Sequence, residues 1–351
     1  MSNTTGAGDS GGKGDGYFTP RVPNFSLGRR SDGKNGDGNG GNKQYSPWLV
    51  IRYETGDVGD RPLPSGTVFW ESPDVWVVST LGVNQPVPGE PNTVYARVTN
   101  LGIQDATGVF VQFWWANPSL AITETTANLI GTTTTTVLAG SSVVVTCPTP
   151  WVPVVENGGH ECLLAEAYSP VFDPLTAPLD PVDDRHVGQK NEQLVLAQPG
   201  QKMSIRLHAA NISGFAQPLT LVVQSPPLAL LPDLLLQRQM KRSHVLTPAT
   251  RPLPLSLQVT DGPSLFGGPS LLFARRLFTM TAAEIAGTAR YCSAPAQITR
   301  VAHFEPWEIR TVEIAGQVPA DATPGQVFTF RILQQAGNMV TGGYTVNVVV
   351  I

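Results

Sequence analysis

Charged residues and cysteines are both scarce in this 351-residue sequence. It holds 23 Lys and Arg, 27 Asp and Glu, and three cysteines. The net charge of −4 is too small to indicate nucleic acid or an anionic membrane as a partner. Three cysteines cannot build a disulfide-rich scaffold, and no apolar run approaches the roughly 18 residues of a membrane-spanning helix. Segment 1–15 lacks the apolar stretch of a signal peptide. The compartment therefore stays open between the cytoplasm and export by a non-classical route.

Glycine and proline are abundant, with 35 and 31 residues, and 41% of the chain is hydrophobic. This hydrophobic content is sufficient for packed cores and excludes wholesale disorder. The apolar stretches are short and rich in β-branched residues, which favours strands over helices. The length suits two domains, so we expect a turn-rich, all-β protein.

Residues 1–44 differ in composition from the rest of the chain, since 12 of them are glycine. Glycine loses the most backbone entropy on ordering, which predicts a flexible, disordered arm. Its few large apolar side chains offer an alternative, in which the arm becomes ordered on a neighbouring subunit. The candidate anchors in that case are Tyr17, Phe18 and Phe25.

Alternating hydrophobicity begins after residue 45. Val94, Ala96 and Val98 share one face of a strand, and residues 109–115 alternate in the same way. Three further runs, at 141–147, 160–168 and 187–197, are separated by turn-forming sequences. Such spacing predicts an antiparallel, immunoglobulin-like β-sandwich over residues 45–197, with an extended lead-in at 45–72.

A second series of strands repeats the first at a constant offset along the sequence. Gly89 and Asn100 correspond to Gly200 and Asn211, and the strand residues between them match. We therefore predict a second sandwich over 198–351, interrupted by an insertion at 226–297. Only Gln198 and Pro199 separate the two units, which predicts a semi-rigid pair. The insertion contains a possible short helix at 231–242, whose leucines Leu234 and Leu235 are candidates to fill the junction.

The first unit resembles bacterial immunoglobulin-like domains of the CARDB type over about residues 71–196. The resemblance lies in segment 89–102 (Gly-Glu-Pro-Asn-Thr-Val-Tyr-Ala-Arg-Val-Thr-Asn-Leu-Gly), the strand at 109–115, Trp151, and segment 162–167 (Cys-Leu-Leu-Ala-Glu-Ala). The second unit fits the pattern only weakly. The resemblance implies a non-catalytic module of a cell-surface, secreted or multi-domain protein, with no fixed catalytic residue to transfer.

Enzyme motifs in a suitable context are missing from the sequence. Its one Gly-x-Ser-x-Gly match, at residues 8–12, lies in the glycine-rich arm and not between a strand and a helix, and no phosphate-binding glycine loop occurs in that context. A metal site at one end of the first sandwich is conceivable, because two strand ends carry ligand-type residues. The alternative is a solvated turn with hydrogen-bonded histidines at its rim, and we predict no metal and no cofactor. The residues concerned are His160, Glu161, Cys162, Asp183, Asp184 and His186.

Cys147 and Cys162 end and begin consecutive predicted strands, so they form either a disulfide or a pair of buried free thiols. Cys292 has no evident partner. The adjacent Trp114 and Trp115 must point to opposite faces of their strand, so one is in the core and the other outside or beneath a flap. Tryptophans of this kind serve in a core, an interface or a glycan-binding platform.

Together these patterns predict a non-catalytic structural or protein-interaction module, acting as a subunit of a bacterial assembly or surface structure. A glycan-binding accessory module is the alternative and predicts exposed, coplanar aromatic rings on one sheet face. An uncharacterised hydrolase is a third. The candidate interaction residues are Tyr17, Phe18, Phe25, Trp114, Leu234 and Leu235.

Overall fold

The computed structural model describes residues 46–153, 161–226, 246–260 and 297–351. The predicted arm, the predicted helix at 231–242 and most of the insertion lie outside these ranges. Every regular element within them is a β-strand, which confirms the all-β prediction. In chain order the strands are β1 (Leu49–Val50), β2 (Val75–Val78), β3 (Thr93–Asn100), β4 (Ala106–Ala116), β5 (Ala127–Val137), β6 (Ser142–Thr146), β7 (Cys162–Tyr168), β8 (Val187–Lys190), β9 (Glu192–Ala197), β10 (Lys202–Ala210), β11 (Gln217–Gln224), β12 (Thr247–Pro248), β13 (Leu255–Thr260), β14 (Gln297–Phe304), β15 (Ile309–Gln317), β16 (Gln326–Ala336) and β17 (Met339–Val350).

The first sandwich packs a sheet of β1, β2, β3 and β6 against a sheet in the order β5-β4-β7-β8. The alternation in the sequence defines its core, since Val94, Ala96 and Val98 are fully buried against the inward residues of β4. The lead-in contributes β1, which pairs with the end of β3.

The second sandwich packs a three-stranded sheet in the order β10-β15-β13 against a larger one in the order β14-β11-β16-β17-β9. The short strand β12 adds to the larger sheet by pairing parallel to β16. Its core contains large side chains with no exposed surface, among them Phe304, Phe330 and Leu221.

Strands matched by the internal repeat form equivalent pairs. β3 pairs with β6 as β10 pairs with β15, and β4 lies between β5 and β7 as β11 lies between β14 and β16. The matched asparagines also act alike. Asn100 Nδ2 donates to the carbonyl oxygens of Gln104 and Val137, and Asn211 Nδ2 donates to those of Phe215 and Glu305. Each asparagine therefore ties together the turns at one end of its sandwich.

The run at 187–197, predicted as the last strand of the first sandwich, is divided between the two sandwiches. β8 pairs with β7, whereas β9 pairs in parallel with β17. Asn191 marks the crossing, because its backbone N–H donates to the Trp70 carbonyl oxygen and its side chain donates to that of Gly343. The predicted boundary at residue 197 is therefore wrong at this strand, since alternation does not specify which sheet receives it.

Two segments of the first half of the chain fill the junction between the sandwiches. The loop before Ile122 inserts Leu120, which has no exposed surface, into the core of the second sandwich. The lead-in places Trp70 over the outer face of β16 and β17, and Glu71 forms a bidentate ion pair with Arg331. The sequence predicted that Leu234 and Leu235 would fill this junction, and both lie outside the described residues.

Candidate interaction surface

The outer face of strands β4, β5 and β7 exposes apolar side chains where an antiparallel sheet usually presents polar ones. Phe110 on β4 is 38% exposed and Leu129 on β5 is 49% exposed. Register places Phe110 between Thr134 of β5 and Tyr168 of β7. We call the group Phe110, Gln112, Trp114, Leu129 and Tyr168 the outer-face patch.

The rings of Phe110 and Tyr168 stack across neighbouring strands. Their centroids lie 6.0 Å apart and their planes differ by 20°. The Tyr168 hydroxyl donates a long hydrogen bond of 3.4 Å to Gln112 Oε1. Both rings are therefore fixed in orientation by the sheet. This reduces the loss of side-chain conformational entropy when a partner binds.

Trp114 and Trp115 point to opposite faces of β4, as predicted. Trp115 packs against the core of the first sandwich, while Trp114 packs on the other face against Leu164 and Leu179. The Trp114 indole N–H donates to Glu166 Oε2 over 3.1 Å. Burial raises the pKa of Glu166 above its usual value, although it also accepts the Leu179 backbone N–H. Trp114 is thus the member of the outer-face patch that the loop following β7 half-buries.

A second aromatic group lies on the outer face of β2 and β3. Trp76 and Tyr95 stack with centroids 5.5 Å apart and planes 8° apart, and the Arg97 guanidinium lies 5.6 Å from the Trp76 centroid. Arg97 and Arg52 both pair with the buried Asp74 carboxylate. Alternation alone placed Tyr95 and Arg97 outward, but their grouping with Trp76 depends on the register between strands.

His186 lies at the centre of a buried charge cluster next to β1. Its Nδ1 is 2.6 Å from Asp184 Oδ1, and its Nε2 is 3.3 Å from Asp173 Oδ2. Asp173 also pairs with Arg185 and accepts the Leu49 backbone N–H over 2.7 Å. A neutral imidazole has only one N–H, so only the protonated ring can donate toward both carboxylates. The cluster therefore ties the lead-in to the loop between β7 and β8.

Protonation of His186 predicts a pH dependence of stability. Burial lowers its pKa, but the neighbouring carboxylates of Asp173 and Asp184 outweigh burial and raise the pKa above the ordinary value. Because the folded-state pKa is raised, protonated His186 stabilises the fold fully below the unfolded-state pKa of about 6.5. This contribution is lost as the pH rises through the folded-state pKa, at no more than about 1.4 kcal/mol per pH unit. Urea unfolding midpoints should therefore fall from pH 6 toward pH 9. His186→Gln should weaken this dependence, while the same change at the exposed His303 should not. An unchanged pH dependence in His186→Gln would contradict the assignment.

The structure separates the other residues that the sequence grouped. Cys147 and Cys162 are both buried and free, so the disulfide is wrong, and they do not form a thiol pair because each lies in the core of a different sandwich. Burial raises the pKa of Cys162 to about 12. Within the described ranges no three His, Cys, Asp or Glu side chains are arranged to hold a metal ion. Several predicted site residues lie outside those ranges, namely Tyr17, Phe18, Phe25, His160, Leu234, Leu235 and Cys292.

No helix in the described part of the chain has both the length and the apolar character needed to cross a membrane.

No protein-family model matches the chain, and a comparison with curated proteins finds no match either. Among solved structures, collagen adhesin (CNA) from S. aureus is similar over 79% of this chain and 92% of its own, with 10% identity and a TM-score of 0.23. The CupB6 tip adhesin from Pseudomonas aeruginosa is similar over 87% of this chain and 98% of its own, with 10% identity and a TM-score of 0.17. A Paenibacillus sp. cycloisomaltooligosaccharide glucanotransferase matches 37% of this chain, with 14% identity and a TM-score of 0.21. The chain spans 16% of that enzyme's length.

Proposed function

We propose that the chain is a non-catalytic structural module, built from two tandem CARDB-like sandwiches, whose copies associate through the outer-face patch. The supporting observation is the exposure of Phe110 and Leu129 on a sheet face that also carries Tyr168 and Trp114. Aromatic side chains are enriched at the centres of protein interfaces, where they contribute much of the binding energy.

The position of the patch suits a contact between subunits. It lies on an antiparallel sheet whose backbone is held by hydrogen bonds on both sides of β4, so the side chains project from a rigid surface. The neighbouring residues Thr132 and Thr134 are exposed on the edge strand β5. They supply the polar rim that usually surrounds the apolar centre of an interface.

A non-catalytic role is supported by the enclosure of the His186 cluster. The His186 side chain is 1% exposed, and both ring nitrogens face carboxylates of the same chain. A general base must reach the proton that it abstracts from a substrate. His186 contacts Asp173 and Asp184 of the loop between β7 and β8, so its role is structural.

Light scattering at increasing protein concentration tests the proposal. We expect the full chain to have a native mass that exceeds that of the 37.5 kDa monomer. The double variant Phe110→Ser with Leu129→Ser should shift the association midpoint at least about tenfold in concentration, since burying two such side chains is worth a few kcal/mol.

A matched control is available because Phe215 and Leu81 are each 65% exposed elsewhere. The double variant Phe215→Ser with Leu81→Ser should associate like the unmodified chain. A monomeric unmodified chain at all concentrations, or equal loss of association in both double variants, would refute the proposal.

Glycan binding is the second candidate, favoured by the two nearly parallel aromatic pairs on the sheet faces. A sugar usually stacks on a free ring face, whereas these rings face each other, so we rank protein contact first. Oligosaccharide-induced changes in tryptophan fluorescence, lost in Trp76→Ala and retained in Trp307→Ala, would reverse this order.

A further inference from the structure

A lysine, a glutamate and an asparagine meet where the chain passes from the first sandwich to the second. Lys190 Nζ lies 2.6 Å from Glu192 Oε2, and Asn347 Nδ2 donates to Glu192 Oε1 over 2.6 Å. One carboxylate therefore contacts both side-chain nitrogens. Asn347 is 3% exposed, and the Lys190 side chain is 11% exposed.

The strands hold these three side chains from different sheets. Lys190 ends β8 of the first sandwich, while Glu192 and Asn347 lie on β9 and β17 of the second. Those two strands pair in parallel, with Glu192 opposite Thr345 and Leu194 opposite Asn347. Because alternate residues of a strand share a face, Glu192 and Asn347 project from the same side of the sheet.

The Asn347 carboxamide is polarised at both ends. Its Oδ1 accepts a hydrogen bond of 2.7 Å from the Thr329 hydroxyl, and its Nδ2 donates to Glu192. A donor aimed at a carbonyl oxygen stabilises the negative charge that develops there when a nucleophile attacks the carbon. A lysine amine is such a nucleophile once it has lost its proton.

We propose that Lys190 and Asn347 become covalently joined by an isopeptide bond, with Glu192 as the group that carries the proton. Glu192 first accepts a proton from the Lys190 ammonium, which frees the electron pair on Nζ. Nζ then forms a bond to Asn347 Cγ, and the developing negative charge on Oδ1 is stabilised by Thr329. As the Cγ–Nδ2 bond breaks, Glu192 passes its proton to Nδ2, which leaves as ammonia, and then accepts the second proton that Nζ loses, so that the new amide keeps one N–H and Glu192 ends protonated. The products are one secondary amide and one ammonia, and the step needs no oxidant or cofactor.

The environment of Glu192 suits this role. Burial raises the pKa of its carboxyl group, and the Lys190 charge lowers it, so the resting state is an ion pair with the Glu192 pKa below its usual value. Once Lys190 has passed its proton to Glu192, its charge no longer lowers that pKa and the effect of burial remains. Proximity then favours the reaction, because a nucleophile and an electrophile held together react without the entropy cost of an encounter.

Mass spectrometry of the intact, denatured chain distinguishes a bond from an ion pair. We expect the purified full chain to weigh less than its sequence requires by the mass of one ammonia. Digestion with trypsin should yield the C-terminal peptide that follows Arg331 linked to the peptide containing Lys190. Cleavage after Lys190 should be lost, because trypsin does not cut after an acylated lysine.

Two conservative variants serve as controls. Lys190→Arg keeps the positive charge and Glu192→Gln keeps the shape, and both should restore the full mass and the separate peptides. The full mass and separate peptides in the folded, unmodified chain would overturn the proposal. Loss of ammonia that persists in Lys190→Arg would also overturn it, since that loss must then arise at another asparagine. A linked peptide that persists in Glu192→Gln would overturn the role of Glu192.

Discussion

Replacing Trp70 by alanine should lower the free energy of unfolding by about 3–5 kcal/mol, the range for removing a large buried aromatic side chain. Trp70 has no exposed surface, and its indole N–H donates to Thr345 Oγ1 over 3.0 Å. Its ring lies so close to Gly343 that a Cβ there would be 2.3 Å from it. The change therefore leaves a cavity between the lead-in and the second sandwich. Chemical denaturation measures the loss.

Trp307 provides the matched control, since it is 47% exposed in the turn between β14 and β15. Trp307→Ala should change the unfolding free energy by no more than about 0.5 kcal/mol, as is usual for surface sites. If Trp70→Ala were as mild as Trp307→Ala, the lead-in would not be part of the folded core. The contact that it makes with the second sandwich through Trp70 would then contribute little to joining the two sandwiches.

Gly342→Ala should lower the free energy of unfolding by about 3 kcal/mol or more. This loss is at or above the upper end of the range for overpacked cores. A Cβ at this position would lie 1.0 Å from the Leu120 carbonyl oxygen. That atom belongs to a backbone segment whose Leu120 N–H donates to the His208 carbonyl oxygen over 2.7 Å. Relief of the clash therefore requires the loop of the first sandwich to move away from the second.

Gly214 is the control for this substitution, because no atom lies within 4 Å of a Cβ built there. Gly214→Ala should leave the unfolding free energy unchanged within about 0.5 kcal/mol. Thermal unfolding of the two alanine variants, followed by circular dichroism, makes the comparison. Equal melting temperatures would show that the loop containing Leu120 does not pack against β17.

The sequence predicted those parts of the fold that depend on short-range patterns. Alternation predicted that Val94, Ala96 and Val98 lie in a core. The geometry of a β-strand required Trp114 and Trp115 to point to opposite faces of the sheet. The internal repeat matched Asn100 with Asn211, whose side chains tie equivalent turns. These features follow from the periodicity of a single strand or from the comparison of two segments.

Features that depend on pairing between distant strands could not be predicted in this way. Nothing in the segment 192–197 indicates that it adds to β17 rather than to β8, because either sheet edge accepts an apolar strand. Trp70 and Thr345 are 275 residues apart, and Glu192 and Asn347 are 155 apart. The outer-face patch is likewise a product of register, since Phe110 meets Tyr168 only in one alignment of β4 with β7.

Exposed side chains at the patch carry the functional proposal, so their accessibility in the associated state is its most direct test. Hydroxyl-radical footprinting measures the oxidation of individual side chains, at a protein concentration below the association midpoint and at one above it. The account predicts that Phe110, Leu129 and Tyr168 become protected at the higher concentration, while Leu81 and Phe215 react equally at both. Protection of Leu81 or Phe215 with no change at Phe110 would contradict it.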